Sequence, residues 1–144
     1  MTPFVASLSV PNRVESIRLA ASFLVQTAQA LRIPAAGTGL FEVAIVEALN
    51  NAFKHGRQDA DGSILCELEL VDRCLKVRVF DQASGVPLEL ALPSAVAPWP
   101  EHTADQWKEI PESGYGLHLI AAVFPALRAV SRDGHHGIEM ELTF

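Results

Sequence analysis

The sequence predicts a two-layer α/β sandwich, with a mixed, largely antiparallel sheet on one side and three main helices on the other. Three observations carry that expectation. Segments of period two and segments of helical period follow in the order β-α-α-β-β-loop-α-β-β. The last two strand segments flank Asp133-Gly134, a dipeptide that closes hairpins. The chain has 144 residues, 49% of them hydrophobic, which suits one domain over residues 1–144 with a buried core.

Phe4 to Val10 alternates around Ser7 and Ser9 and reads as a strand stopped by Pro11. Asn12, with Glu15 three residues on, resembles a capping box for helix one. Ile17, Ala20, Ala21, Leu24, Ala28 and Leu31 recur at helical spacing, so that helix runs to about Leu31. Ile33 to Gly37 is a break. Thr38 caps helix two, which runs to His55 and ends at Gly56, a residue type typical of C′. From Phe41 to Phe53 this helix is apolar except for Glu42, Glu47, Asn50 and Asn51, so it should be largely buried.

Ser63 to Val71 and Leu75 to Asp81 read as strands joined by Asp72-Arg73. From Val86 to Ser113 the texture changes to five prolines, two tryptophans and no sustained period. A loop of that length inside a compact domain is usually functional or mobile. Trp99 and Trp107 are read as anchors that fold it down, an exposed partner surface being the alternative. Gly114-Tyr115-Gly116 opens helix three, Leu117 to Phe124, stopped by Pro125. Leu127 to Arg132 and Gly137 to Phe144 form the final hairpin. In its second strand Ile138, Met140, Leu142 and Phe144 face one way, and Glu139, Glu141 and Thr143 the other.

The net charge of −6 disfavours holding nucleic acid through its phosphates, and no polybasic run suits a membrane surface. No apolar stretch is long enough to span a bilayer. The first sixteen residues lack a basic n-region and a continuous apolar h-region, so no signal peptide is expected. Cys66 and Cys74 form no CxxC and are read as reduced thiols of a cytoplasmic protein. His102 lies in the long loop and His118 on helix three. His135 and His136 are read as exposed turn polarity, and no three histidines form a metal-ligand pattern.

Three features carry chemistry. Glu47 and Asn51 lie four apart on one face of helix two, where unpaired burial is costly. A hydrated Mg²⁺ would give them a partner; a satisfied side-chain network inside the core would do so equally. Alternation puts Asp81 on the face of Leu75, Val77 and Val79, so its carboxylate points to the core, followed by the small residues Ala83, Ser84 and Gly85. It suits an acceptor for the exocyclic amine of adenine, or a cap for the turn. Ser113 to Leu117 sets glycines at a helix start, where exposed N–H groups favour anions; a flexible hinge is the alternative. Neither GxxxxGK[ST] nor GxGxxG occurs.

In this order the three resemble the boxes of the GHKL superfamily, whose ATP-binding domain has the Bergerat fold. Glu47 to Gly56 resembles the N box in the form used by anti-sigma-factor serine kinases. Asp81-Gln-Ala83-Ser-Gly85 resembles the first glycine box, and Gly114-Tyr115-Gly116-Leu117 the second. The resemblance implies a kinase that uses ATP and Mg²⁺, with residues 86–113 as the ATP lid. Glu47 would be the general base that takes a serine proton, and Asn51 would hold Mg²⁺. Asp81 would bind the adenine amine, and Gly114 and Gly116 would cradle phosphates. His55, Ala83, Gly85, Tyr115 and Leu117 belong to the same nucleotide-binding boxes. Arg18 lies where related kinases place an arginine that contacts the partner.

The implied acceptor is a STAS-domain anti-sigma-factor antagonist, and the implied target a sigma factor or other regulator. A homodimer is the expected assembly. Three positions depart from the pattern: Ala83 and Ser113 stand where glycine is usual, and Ile138 stands where Thr often flanks adenine. They keep open a second reading, an ATP-binding module that sequesters its regulator without phosphorylating it. A detached histidine-kinase catalytic domain is a weaker third, since no dimerisation helix with a phosphoacceptor histidine is present.

Overall fold

The computed structural model describes residues 2–56, 59, 61–82 and 115–144. Strand β1 (Phe4–Pro11) is followed by helix α1 (Val14–Ala30), a 3-10 turn (Pro34–Gly37) and helix α2 (Gly39–His55). Strands β2 (Ser63–Val71) and β3 (Cys74–Asp81) come next, then α3 (Tyr115–Val123), β4 (Ala126–Arg132) and β5 (His135–Thr143). The sheet order is β1-β2-β3-β5-β4. Every pairing among these strands is antiparallel, so the parallel component allowed for above is not used among the described residues.

The period-two pattern decides which face each strand turns to the helices. Ile64, Cys66 and Leu68 on β2, Leu75, Val77 and Val79 on β3, and Ile138 and Met140 on β5 are buried. Against them pack Leu24, Phe41, Ile45 and Leu49 from α1 and α2, with Ile120 on α3. Phe41 and Phe124 meet at a ring-centroid distance of 5.5 Å, tying α2 to the end of α3. None of the described helices is long and apolar enough to cross a membrane.

The other face of the sheet carries charge. Arg78 on β3 reaches three carboxylates: Glu67 at 2.9 Å, Glu69 at 2.8 Å and Glu139 at 2.6 Å. Arg128 joins Glu139 at 2.5 Å, and Arg132 joins Glu67 at 2.7 Å while its guanidinium lies 4.8 Å from the Phe80 ring centroid. The hydrogen bond from Arg132, with help from Arg78, holds Glu67 below the usual carboxylate range. Burial pushes Glu139 upward, but Arg78 and Arg128 outweigh it and hold that carboxyl low as well. The same carboxylates raise the Arg78 pKa against the opposing effect of its burial.

Several local expectations change. Asn12 does not cap α1; the N-cap is Arg13, with no side-chain cap bond. Asn12 is buried instead, donating its backbone N–H to the Gly62 carbonyl at 2.9 Å and its amide to the Phe53 carbonyl at 3.5 Å. Thr38 does cap α2, its hydroxyl accepting from the Phe41 N–H at 3.3 Å. Yet α2 is less enclosed at its start than its composition suggests, since Leu40 and Val43 are exposed. Gly56 follows α2 in an extended conformation, φ −76° and ψ 173°, rather than as a left-handed C′ residue. Positive φ occurs at the turns: Asp72 (53°), Asp133 (51°) and Gly134 (80°). His135 and His136 are not turn residues; they begin β5 and are half-buried.

Candidate functional site

Strand β3 delivers Asp81 to its end on the buried face, where it keeps only 6% of its surface exposed. The start of β2 is held alongside, because the Ser63 N–H donates to the Gln82 side-chain oxygen at 3.0 Å. Gly56 explains why the end of α2 can lie against this point. A Cβ there would stand 2.7 Å from the Ala52 carbonyl oxygen, 3.0 Å from the Asn12 amide nitrogen and 3.3 Å from the Asp81 Cβ. A side chain there would clash with the last turn of α2 and crowd Asn12 and Asp81, so the glycine is required by proximity, not by its dihedral angles.

A narrow cleft lies between α2, α3 and the sheet. Its walls are Ala48, Asn51 and Ala52 of α2, Val79 and Asp81 of β3, Leu117 of α3, and Gly137 and Ile138 of β5. Alanines and a glycine leave the space that larger residues would fill. Gly137 is forced by the strands themselves: a Cβ would run into the Val79 carbonyl and come 2.9 Å from the Phe80 Cα. The lining is apolar except for the Asn51 amide and the Asp81 carboxylate.

Glu47 stands one helical turn before Asn51 on α2, and both are half-buried. The first turn of α3 comes directly against it. A Cβ on Gly116 would lie 2.8 Å from the Glu47 Oε2, so no other residue leaves the carboxylate where it is. Glu47 and Asn51 thus offer oxygen donors near a helix N-terminus, the atom types and dipole that suit a hydrated divalent cation and an anion. At the other end a buried acceptor in an apolar slot suits a flat ring that carries an amine.

The structure therefore brings together Glu47, Asn51, Asp81, Gly116 and Leu117. It sets two residues apart from that cleft. His55 is exposed at the end of α2, and Arg18 is exposed in a separate groove between α1 and α2, near Glu42, Val46 and Asn50. Ala83, Gly85, Gly114, the side chain of Tyr115 and the 86–113 segment, with Trp99, His102 and Trp107, lie outside the described residues. The sequence reading missed Asn12 and Gly137 as parts of the site's frame. A glycine inside an alternating strand was the available signal for the second. Cys66 takes no part: burial pushes its thiol up to about 12, which keeps it protonated and unreactive. Cys74 is also raised, by burial and by Glu141.

A family model described as a histidine kinase-like ATPase domain matches residues 10–143, which takes in every element of the cleft. No curated protein matches the chain.

Proposed function

Because the chain belongs to the histidine kinase-like ATPase domain family, whose members are built to bind ATP, we propose that it is an anti-sigma-type serine kinase. Its substrate is a serine of a STAS-domain antagonist, and its regulatory target a sigma factor or other regulator, in a cytoplasmic partner-switching module. The observation that supports this most is the seat of Glu47. A carboxylate held against the glycine of a helix N-terminus, one turn from Asn51, supports the reading of Glu47 as a proton acceptor beside bound phosphates.

In this reading ATP lies with adenine in the slot and its amine on Asp81. Ala83 and Gly85 flank the base, with His55 at the nearby helix end. Gly114, Tyr115, Gly116 and Leu117 receive the phosphates at the start of α3. Asn51 would hold Mg²⁺, which would neutralise phosphate charge when bound. Glu47 accepts the serine proton as the serine oxygen bonds to the γ-phosphorus. The bond from that phosphorus to the β–γ bridging oxygen breaks, leaving phosphoserine and ADP. Arg18 contacts the partner protein from the α1–α2 groove, and the working unit is a homodimer.

A second reading, a non-catalytic ATP-binding module that sequesters its regulator, is favoured by one feature. Ile138 puts an apolar side chain in the slot wall where a hydroxyl often assists the base. Transfer of labelled phosphate from ATP to a STAS-domain partner separates the two. Glu47→Gln should keep ATP binding and lose transfer by roughly 10²–10⁴-fold. Asn51→Ala should lose Mg²⁺-dependent binding as well. A wild-type chain that binds ATP and partner but never transfers phosphate would establish the module instead.

A further inference from the structure

We propose that His136 is a second base-reading residue, acting beside Asp81 to select adenine over guanine; this rests on the ATP-binding reading of the cleft. Strand register places it there. Asp81 of β3 pairs with His136 of β5, and His136 pairs with Ser131 of β4. Residues directly opposite in an antiparallel sheet share a face, with Cβ atoms about 4.5–5.5 Å apart. Asp81, His136 and Ser131 therefore form a row on the helix side; Asp81 lines the slot together with Gly137 and Ile138, and His136 is its next neighbour in the row.

The ring is tethered in a way that leaves one nitrogen for a ligand. His136 Nδ1 lies 3.1 Å from the Ser131 hydroxyl oxygen. With that hydroxyl donating to Nδ1, the ring proton sits on Nε2, which is then a donor. No partner takes Nε2 among the described residues, and the side chain is half-buried, so a ligand can still reach it. The neighbouring histidine differs: His135 pairs with Arg132, on the opposite face, and its Nδ1 lies 3.2 Å from the Asp133 carbonyl oxygen within the turn.

Base chemistry then decides the preference. Adenine presents an amine donor next to a ring-nitrogen acceptor. Guanine presents a carbonyl acceptor next to a ring N–H donor at the corresponding edge. An acceptor on Asp81 and a donor on His136 match the first pattern and oppose the second. Apart from the Asn51 amide, assigned above to Mg²⁺, no side chain lining the slot is a donor, because Ala48, Ala52, Val79, Leu117 and Ile138 are apolar. Asp81 alone would leave the ring nitrogen without a protein partner, which is costly wherever the bound base keeps water from it.

The test measures ATP and GTP affinities by titration with Mg²⁺ for the wild type, His136→Phe, His136→Gln and Ser131→Ala. Thermal melts of each report the fold. His136→Phe should weaken ATP roughly tenfold, the scale of one net hydrogen bond, and should lower the ATP-over-GTP ratio by at least as much. His136→Gln, which keeps an N–H donor, should recover part of both. Ser131→Ala, which frees the ring, should weaken ATP about two- to threefold. An unchanged ratio in His136→Phe overturns the proposal, whether ATP binding is unaltered or both nucleotides weaken together. Asp81→Asn separates the levels. If it abolishes ATP binding while His136→Phe leaves the ratio intact, the cleft reading stands and His136 does not read the base. If the wild type binds neither nucleotide, both fall.

Discussion

Replacing Gly116 with alanine tests whether the meeting of α3 and Glu47 sets up the proton transfer proposed for Glu47. The added Cβ would lie 2.8 Å from Glu47 Oε2, whereas ordinary contact begins near 3.4 Å, so the carboxylate must retreat by about 0.6 Å. Oε2 ends a flexible side chain, so the retreat is inexpensive, about 0.5–1.5 kcal/mol for a torsion pushed off its well. The gain of up to about 1 kcal/mol from alanine over glycine in a helix offsets most of that. Stability should therefore move by no more than about 1 kcal/mol, or a melting shift of about 4 °C. Rate should respond more, because a misplacement of about 1 Å costs on the order of 10²-fold; 0.6 Å predicts at least a tenfold loss. The assay is single-turnover ADP formation from labelled ATP with a serine-bearing partner, in the wild type, both single variants and the Glu47→Gln, Gly116→Ala double variant. If the methyl acts by displacing Glu47, adding it to Glu47→Gln should cost less than about threefold, because the base is already gone. A full tenfold loss on that background would refute the reasoning and show that the methyl obstructs the phosphates directly.

Gly137→Ala should behave in the opposite way, since its Cβ meets the backbone of Val79 and Phe80, which cannot swing aside. A loss of about 3 kcal/mol or more is expected, seen as a melting point lower by roughly 10 °C, together with weaker ATP binding. The outer-face carboxylates set a pH dependence. Glu67 and Glu139 are held low in the fold, so their contribution is complete above the ordinary glutamate value of about 4.3 and drains away as pH falls through their folded values. Glu139→Gln should cost about 1–2 kcal/mol at pH 7 and lose most of that penalty near pH 3; chemical denaturation at the two pH values would expose an equal penalty at both, contrary to expectation.

Element types and order were readable because burial writes its period into the sequence. The alternation of β3 put Asp81 on the inner face, and the four-residue spacing in α2 put Glu47 beside Asn51. What escaped reading depends on which element lies across from a residue, and local pattern carries no such information. Gly56 looks like an ordinary helix terminator, yet a Cβ there would not only meet the Ala52 carbonyl of its own helix but also crowd Asn12 and Asp81, both distant in sequence. Asn12 looks like a cap because polar residues before helices usually are; burial beside the end of α2 overrides that preference. His136 looked like turn polarity because two histidines follow Asp-Gly. Only the pairing with Asp81 and Ser131 shows that β5 has already begun there.

Helix α2 also acts as a ruler, and this bears on how the protein can change over generations. Glu47 and Gly56 are nine residues apart, about 13.5 Å along the axis, with no break between the stretch that carries Glu47 and the end that abuts Asp81. A substitution on this helix alters one contact. Adding or deleting one residue turns everything beyond it by about 100° and shifts it by about 1.5 Å, so every later side chain faces the wrong way. Descendants of this sequence can exchange residues along α2 freely by comparison, but their lengths there should be frozen. Length variation belongs at the Asp72-Arg73 turn, at the far end of β3 from Asp81, where an extra residue disturbs only a hairpin loop.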